Sequence, residues 1–170
     1  NFRNFVSEGR FDLDQIDPAE VSNLQSLVLR AHQSGAPLID TQVIDDFLGA
    51  LKFPLYFLDY EGYGSAIPIC DGASPQAQFP FQYSLHEMQS DGQLDHHEYL
   101  ADKAMLPLKL VENLERCIGP VGSIISWHKT YENTRNREMA ALYPGKAHFL
   151  NDLTKRTVDL DDVFKTGDED

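Results

Sequence analysis

Two periods of apolar residues divide this chain. In the first third the spacing is helical. PAEVSNLQSLVLRAHQSG, residues 18–35, places Val21, Leu24, Leu27, Val28 and Ala31 on one face, with Pro18 in the first turn and Gly35 as the stop. DTQVIDDFLGALKFP repeats the pattern through Val43, Ile44, Phe47, Leu48 and Leu51, and ends before Pro54. Residues 1–17 are mixed and polar, with Phe2, Phe5, Phe11 and Leu13 as scattered anchors, and read as an arm.

From residue 54 the pattern changes. PLYFLDYE predicts a strand over 54–61, and a Gly/Pro/Ser-rich loop follows. FQYSLHEMQ alternates as a second strand, SDGQ is an Asp-Gly hairpin turn, and LDHHEYLA is a third strand. LPLKLVENLERCIG predicts a helix whose inner face is Leu110, Val111, Leu114, Cys117 and Ile118, with Pro107 near its start. GSIISWH is almost uniformly apolar, as a strand buried on both sides of a parallel sheet would be. TYENTRNREMAALYPG is a helix stopped by Pro144-Gly145, HFLNDLTKR a further helix, and TVDLDDVF a last strand or turn. The order β-β-β-α-β-α predicts an α/β fold, a mixed sheet of three antiparallel strands and then a parallel one, flanked by helices. The predicted organisation is an arm and two helices over 1–50, a linker or the end of a preceding domain, and the main fold over 51–170.

Composition narrows the picture. A chain of 170 residues with 42% hydrophobic content can bury one core. No apolar run approaches the roughly 18–20 residues of a membrane span. There is no initiating Met and no signal-peptide pattern, and the chain runs from Asn1 to FKTGDED, so a region excised from a longer, cytoplasmic protein is expected. Cys70 and Cys117 lie far apart in no metal-ligand spacing and read as free thiols of a reducing compartment. His96 and His97 read as a solvated strand start, and no zinc site is expected. The net charge of −13 argues against a broad basic nucleic-acid surface. It leaves open an enzyme that reaches phosphates through metal ions, which needs clustered carboxylates.

Such a cluster is legible. Strand alternation puts Leu55, Phe57, Asp59 and Glu61 on one face and Tyr56, Leu58 and Tyr60 on the other. Two carboxylates that close repel unless a cation lies between them, and Mg²⁺ favours one or two carboxylates, waters and a phosphate. An isolated Asp-x-Glu is more often a strand fraying into solvent. Glu132 supplies a partner, in the first turn of the helix that follows the buried strand, on a face shared with Arg135, Asn136, Met139 and Tyr143. Taken alone, Glu132 would simply favour the helix dipole.

These residues resemble the DEDD exonuclease superfamily, the DnaQ-like branch of the RNase H-like fold. Its Asp-x-Glu first motif is matched by FLDYEGYG, at Asp59 and Glu61. WHKTYEN resembles its second, with His128 in the His place, Tyr131 in the aromatic place and Glu132 where Asp is usual. YFLDYEGYGSAIP, QYSLHEM, HEYLAD, YENTRNREMA and RTVDL are similar to a bacterial domain group of that superfamily, often found behind a RecB-like nuclease domain in the same chain. The likeness covers about residues 50–165.

The resemblance implies 3′–5′ hydrolysis of DNA or RNA ends with two Mg²⁺ or Mn²⁺ ions. Asp59 would bridge both ions, Glu61 would bind the one holding the attacking water, and Glu132 would support the second. The backbone at Tyr60 and Gly62, the Tyr63 ring, His128 and Arg135 are its candidate substrate contacts. A buried Tyr63 fits the residues at least as well as a stacking one, and an ion pair with Glu138 or Glu132 is the commoner fate of an arginine placed like Arg135. Asp159 is a candidate secondary acid or a cap for the turn DLDD. Three departures stand out. Glu132 replaces Asp, Lys129 stands where Asn is frequent, and the third-motif Asp is missing, since Asp159, Asp161 and Asp162 come too soon. The fragment is therefore expected to be truncated before the last helix and inactive alone. A non-catalytic module binding a nucleic-acid end or a protein is the alternative. A glycoside hydrolase, which also uses paired carboxylates, ranks last because the chain is short for a (β/α)₈ barrel.

Overall fold

The computed structural model describes residues 2–68 and 70–164, so the last residues of the expected main fold, 165–170, lie outside it. The chain divides into two units, residues up to Gly49 with the segment from Asp162, and Ala50–Asp161.

In the first unit, local polar bonds decide where the chain turns. A short helix α1 (Phe2–Ser7) and two 3₁₀ turns, Leu13–Gln15 and Pro18–Glu20, replace the expected arm. Asp12 and Asp17 each close a capping box at the start of a turn, and Arg10 binds Glu8 and Glu20 at 2.6 Å. These are short-range bonds, which apolar periodicity cannot report. Of the expected anchors, Phe5 is buried while Phe11 and Leu13 are exposed, and the side chain of Phe2 lies outside the described residues. Helix α2 (Asn23–Ser34) begins at the Ser22 cap rather than at Pro18, and ends as expected at Gly35 in the left-handed region. Its expected inner face is also corrected, because Leu29 is buried and Leu24 and Val28 are exposed. Helix α3 covers Thr41–Ala50.

The second unit is a mixed, open five-stranded sheet with helices packed on it. The strands are β1 (Leu55–Gly64), β2 (Gln78–Met88), β3 (Leu94–Leu100), β4 (Ser123–Ser126) and β5 (Thr157–Asp159), in the order β3-β2-β1-β4-β5. The pairs β3/β2 and β2/β1 are antiparallel; β1/β4 and β4/β5 are parallel. The helices are α4 (Leu108–Cys117), α5 (Thr130–Leu142) and α6 (Ala147–Arg156). Tyr56, Leu58, Tyr60, Tyr83 and Leu85 from the sheet form one core with Leu110, Val111 and Leu114 of α4, Met139 of α5 and Leu150 and Leu153 of α6.

The alternation expected along β1 holds from Tyr56 to Glu61, while Leu55, expected on the face of Asp59, is buried. Tyr56, Leu58 and Tyr60 are buried, while Phe57, Asp59 and Glu61 face out. β1 runs three residues past the expected end at 61, through Gly62 to Gly64, because β2 begins three residues earlier than read and supplies partners down to Gln78. The register slips between Glu61 and Gly62, leaving Phe81 as the extra residue on β2. His96 and His97 lie within β3 rather than at its start, His96 stacking on its cross-strand partner His86 at 4.4 Å. Both cysteines are free thiols.

Two polar anchors fix β4 and α5. Arg156 donates to the carbonyls of Gly119, Val121 and Gly122 and pairs with Asp152, clamping the turn that leads into β4. In the core, the Tyr60 hydroxyl donates to Asn136 Oδ1 at 3.0 Å, joining β1 to α5. Among the described residues, no helix is long and apolar enough to cross a membrane.

Candidate functional site

β1 and the start of α5 meet beside the end of the β1/β4 ladder. That ladder pairs Leu55, Tyr56 and Phe57 with Ser123, Ile124 and Ile125. The Ser126 hydroxyl then donates to Leu58 O at 3.3 Å. Beyond it Asp59 and Glu61 stand exposed on the outer face, opposite Ser84 and Gln82. Farther along β1, Tyr131 of α5 closes on the strand. Its hydroxyl sits where a Cβ at Gly62 would be, so only glycine lets the helix approach this closely.

No side chain of its own caps α5. The cap comes from thirty residues downstream. Asp159 at the end of β5 accepts the N–H of His128 at 2.9 Å on one oxygen and that of Lys129 at 3.1 Å on the other, and also accepts the Asp161 N–H at 3.1 Å. Its negative charge also complements the helix dipole. Asp159, 4% exposed, thus holds the helix start, a wider role than a cap for its own turn. His128 sits at φ +57° with an exposed ring, its Nδ1 3.1 Å from Asp161.

Glu132 falls in the turn that Asp159 anchors, and points inward as its helical face predicts. It is 4% exposed, and its Oε2 is buried with no hydrogen-bond partner. Burial, and then the charges of Asp59 and Asp159, push its carboxyl up to about 7. The neighbouring Asn133, which the sequence did not single out, is also buried, with Oδ1 unpartnered.

The other expected contacts divide. The Tyr60 ring belongs to the core, and only its backbone can face a ligand at the site. Tyr63 is half-buried against Phe81, with ring centroids 6.0 Å apart. Arg135 pairs with Glu138 at 3.1 Å, and its guanidinium lies 5.3 Å from the Tyr131 ring centroid.

Among the described residues, one trio of metal-ligand type has its ligand atoms all within 4.8 Å: Asp12, Asp14 and His32, all exposed. Turn capping by Asp12 and the Asp14–His32 pair account for it. Asp59, Glu61 and Glu132 do not form so tight a group. What fits a divalent cation near them is the chemistry: two exposed carboxylates on one strand face, and a third, buried carboxyl with an unused oxygen, its ionised form disfavoured by burial and by the charges of Asp59 and Asp159. A family model described as a domain of unknown function, DUF2779, matches residues 56–168, more than half of the chain. No curated protein and no solved structure matches it.

Proposed function

The chain belongs to the DUF2779 family, and we propose that its Ala50–Asp161 unit is a metal-dependent 3′–5′ exonuclease-like domain, acting on DNA or RNA 3′ ends by two-metal chemistry. The observation that carries this reading is Glu132. Burial of a carboxyl with an unsatisfied oxygen, within the field of Asp59 and Asp159, costs free energy that a cation would return. The strand order, antiparallel across β3-β2-β1 and parallel across β1-β4-β5, supports an RNase H-like reading of the fold.

Asp59, Glu61 and Glu132 would hold Mg²⁺ or Mn²⁺, which when bound activate water and offset charge on the leaving oxygen. The chain's own contribution is placement. Asp59 and Glu61 face solvent, where a strand end can reach them. Gly62 keeps the backbone bare at the approach of Tyr131, and Asp159 fixes the turn that carries Glu132.

Calorimetric titration of Mn²⁺ into the chain tests this. Binding is expected to vanish in Asp59→Ala and to weaken by about tenfold or more in Glu132→Ala. Absence of binding at millimolar Mn²⁺ would sink the metal reading. The second reading, a non-catalytic module for a nucleic-acid end or a protein, would then stand. It is favoured by one observation, that the three acids are not gathered as tightly as Asp12, Asp14 and His32.

A further inference from the structure

A second feature lies on the other side of Tyr131. A cavity of about 430 Å³ opens between the loop leading into β2, β2 itself and the later turns of α5. Its lining includes Phe79, Pro80, Met139 and Leu142, with Ser74, Gln78, Arg135 and Glu138 as its polar residues. The size falls in the range of small-ligand pockets, which pair apolar walls with a few fixed polar groups.

Arg135 is the unusual member. It is 8% exposed, and its Nε has no hydrogen-bond partner. Nη1 makes only long bonds to Gln78, 3.3 Å to the carbonyl and 3.2 Å to Oε1. Its carboxylate partner Glu138 has a side chain 55% exposed against 9% for Arg135. The pair is lopsided. The cation is held by Tyr131 and Gln78, while the anion is free to turn into water at little cost, as exposed partners of ion pairs are. A preorganised guanidinium with a displaceable carboxylate beside apolar walls has the chemistry to take a phosphate.

We infer that this cavity binds a nucleotide, its phosphate replacing Glu138 on Arg135 and its base lying against Phe79 and Leu142. The choice of a nucleotide rests on the exonuclease reading; the anion site rests on Arg135 and the cavity alone. Only a ring's width separates this guanidinium from Gly62, since Tyr131 touches both.

The test is equilibrium binding of deoxyadenosine 5′-monophosphate, inorganic phosphate and adenosine to the full chain in EDTA. The monophosphate is expected to bind more tightly than either of the other two. Glu138→Gln, a surface change that leaves the fold intact, removes the competitor and is expected to tighten monophosphate binding roughly two- to fivefold. Arg135→Lys keeps the charge, loses the fork, and is expected to weaken it about tenfold. Unchanged or weaker binding in Glu138→Gln would overturn the inference, as would equal affinity for phosphate and monophosphate, or no binding to either protein. Arg135 would then only pin the loop to α5. Because EDTA removes divalent ions, this result is independent of the Mn²⁺ titration, and either reading can fail while the other stands.

Discussion

Glu132 adds a pH dependence of its own to the stability of the fold. Its carboxyl, near 4.5 when unfolded, is raised to about 7 in the fold. The folded state therefore holds a proton that the unfolded state has lost between those values, so the contribution of Glu132 to stability is fullest below pH 4.5 and falls as pH rises to about 7. The loss is at most about 3 kcal/mol. Glu132→Gln should abolish that decline, so that denaturant midpoints from pH 4.5 to 8, in EDTA, lie higher than wild type at the alkaline end; parallel curves for the two proteins would refute the assignment. Mn²⁺ should reverse the trend, its affinity rising with pH as the carboxyl ionises. At this scale the sequence was informative. Strand alternation placed Asp59 and Glu61 outward and Tyr60 inward, and the company of Met139 and Asn136 turned Glu132 inward. The destination of Asp159 was not legible, because its partners are backbone amides of His128 and Lys129, and no spacing pattern encodes a backbone amide thirty residues away.

Between elements, that distant cap is what joins β5 to α5. Asp159→Ala would leave the His128, Lys129 and Asp161 amides without their acceptor, at a cost of about 1–3 kcal/mol. It should also weaken Mn²⁺ binding without removing a proposed ligand, because the first turn of α5 would lose its anchor. Chemical denaturation beside the titration checks both, and an unchanged midpoint would show that water replaces the carboxylate. Most helices and strands of this unit were readable from periodicity: β1, β2, α4 and α6 bury apolar side chains in a shared core, whereas β3 is mostly exposed and the buried residues of α5 are mostly polar. The extension of β1 to Gly64 was not. Gly-rich sequence reads as a turn, yet here it continues a strand because β2 offers partners and α5 requires bare backbone.

Over the whole molecule, the first unit followed its helical pattern in outline but not in which side faces in. Short segments capped by Asp12, Asp17 and Ser22 are positioned by polar bonds, so Leu29 is buried while Leu24 and Val28 are left outside. All the carboxylates of the proposed site, and the cavity beside it, belong to Ala50–Asp161. A chain cut to those residues should unfold in one cooperative transition and keep the Mn²⁺ affinity of the full chain. Loss of cooperativity would mean that the first unit completes the core. Within the second unit, the Tyr60–Asn136 bond has a consequence for the acids on the outer face. Tyr60 stands between Asp59 and Glu61, and Asn136 lies one turn beyond Glu132. The bond works as a calliper closed from behind the sheet: it fixes the spacing of β1 and α5, and so would set the room for a cation at the proposed site, from a position that cation would never touch.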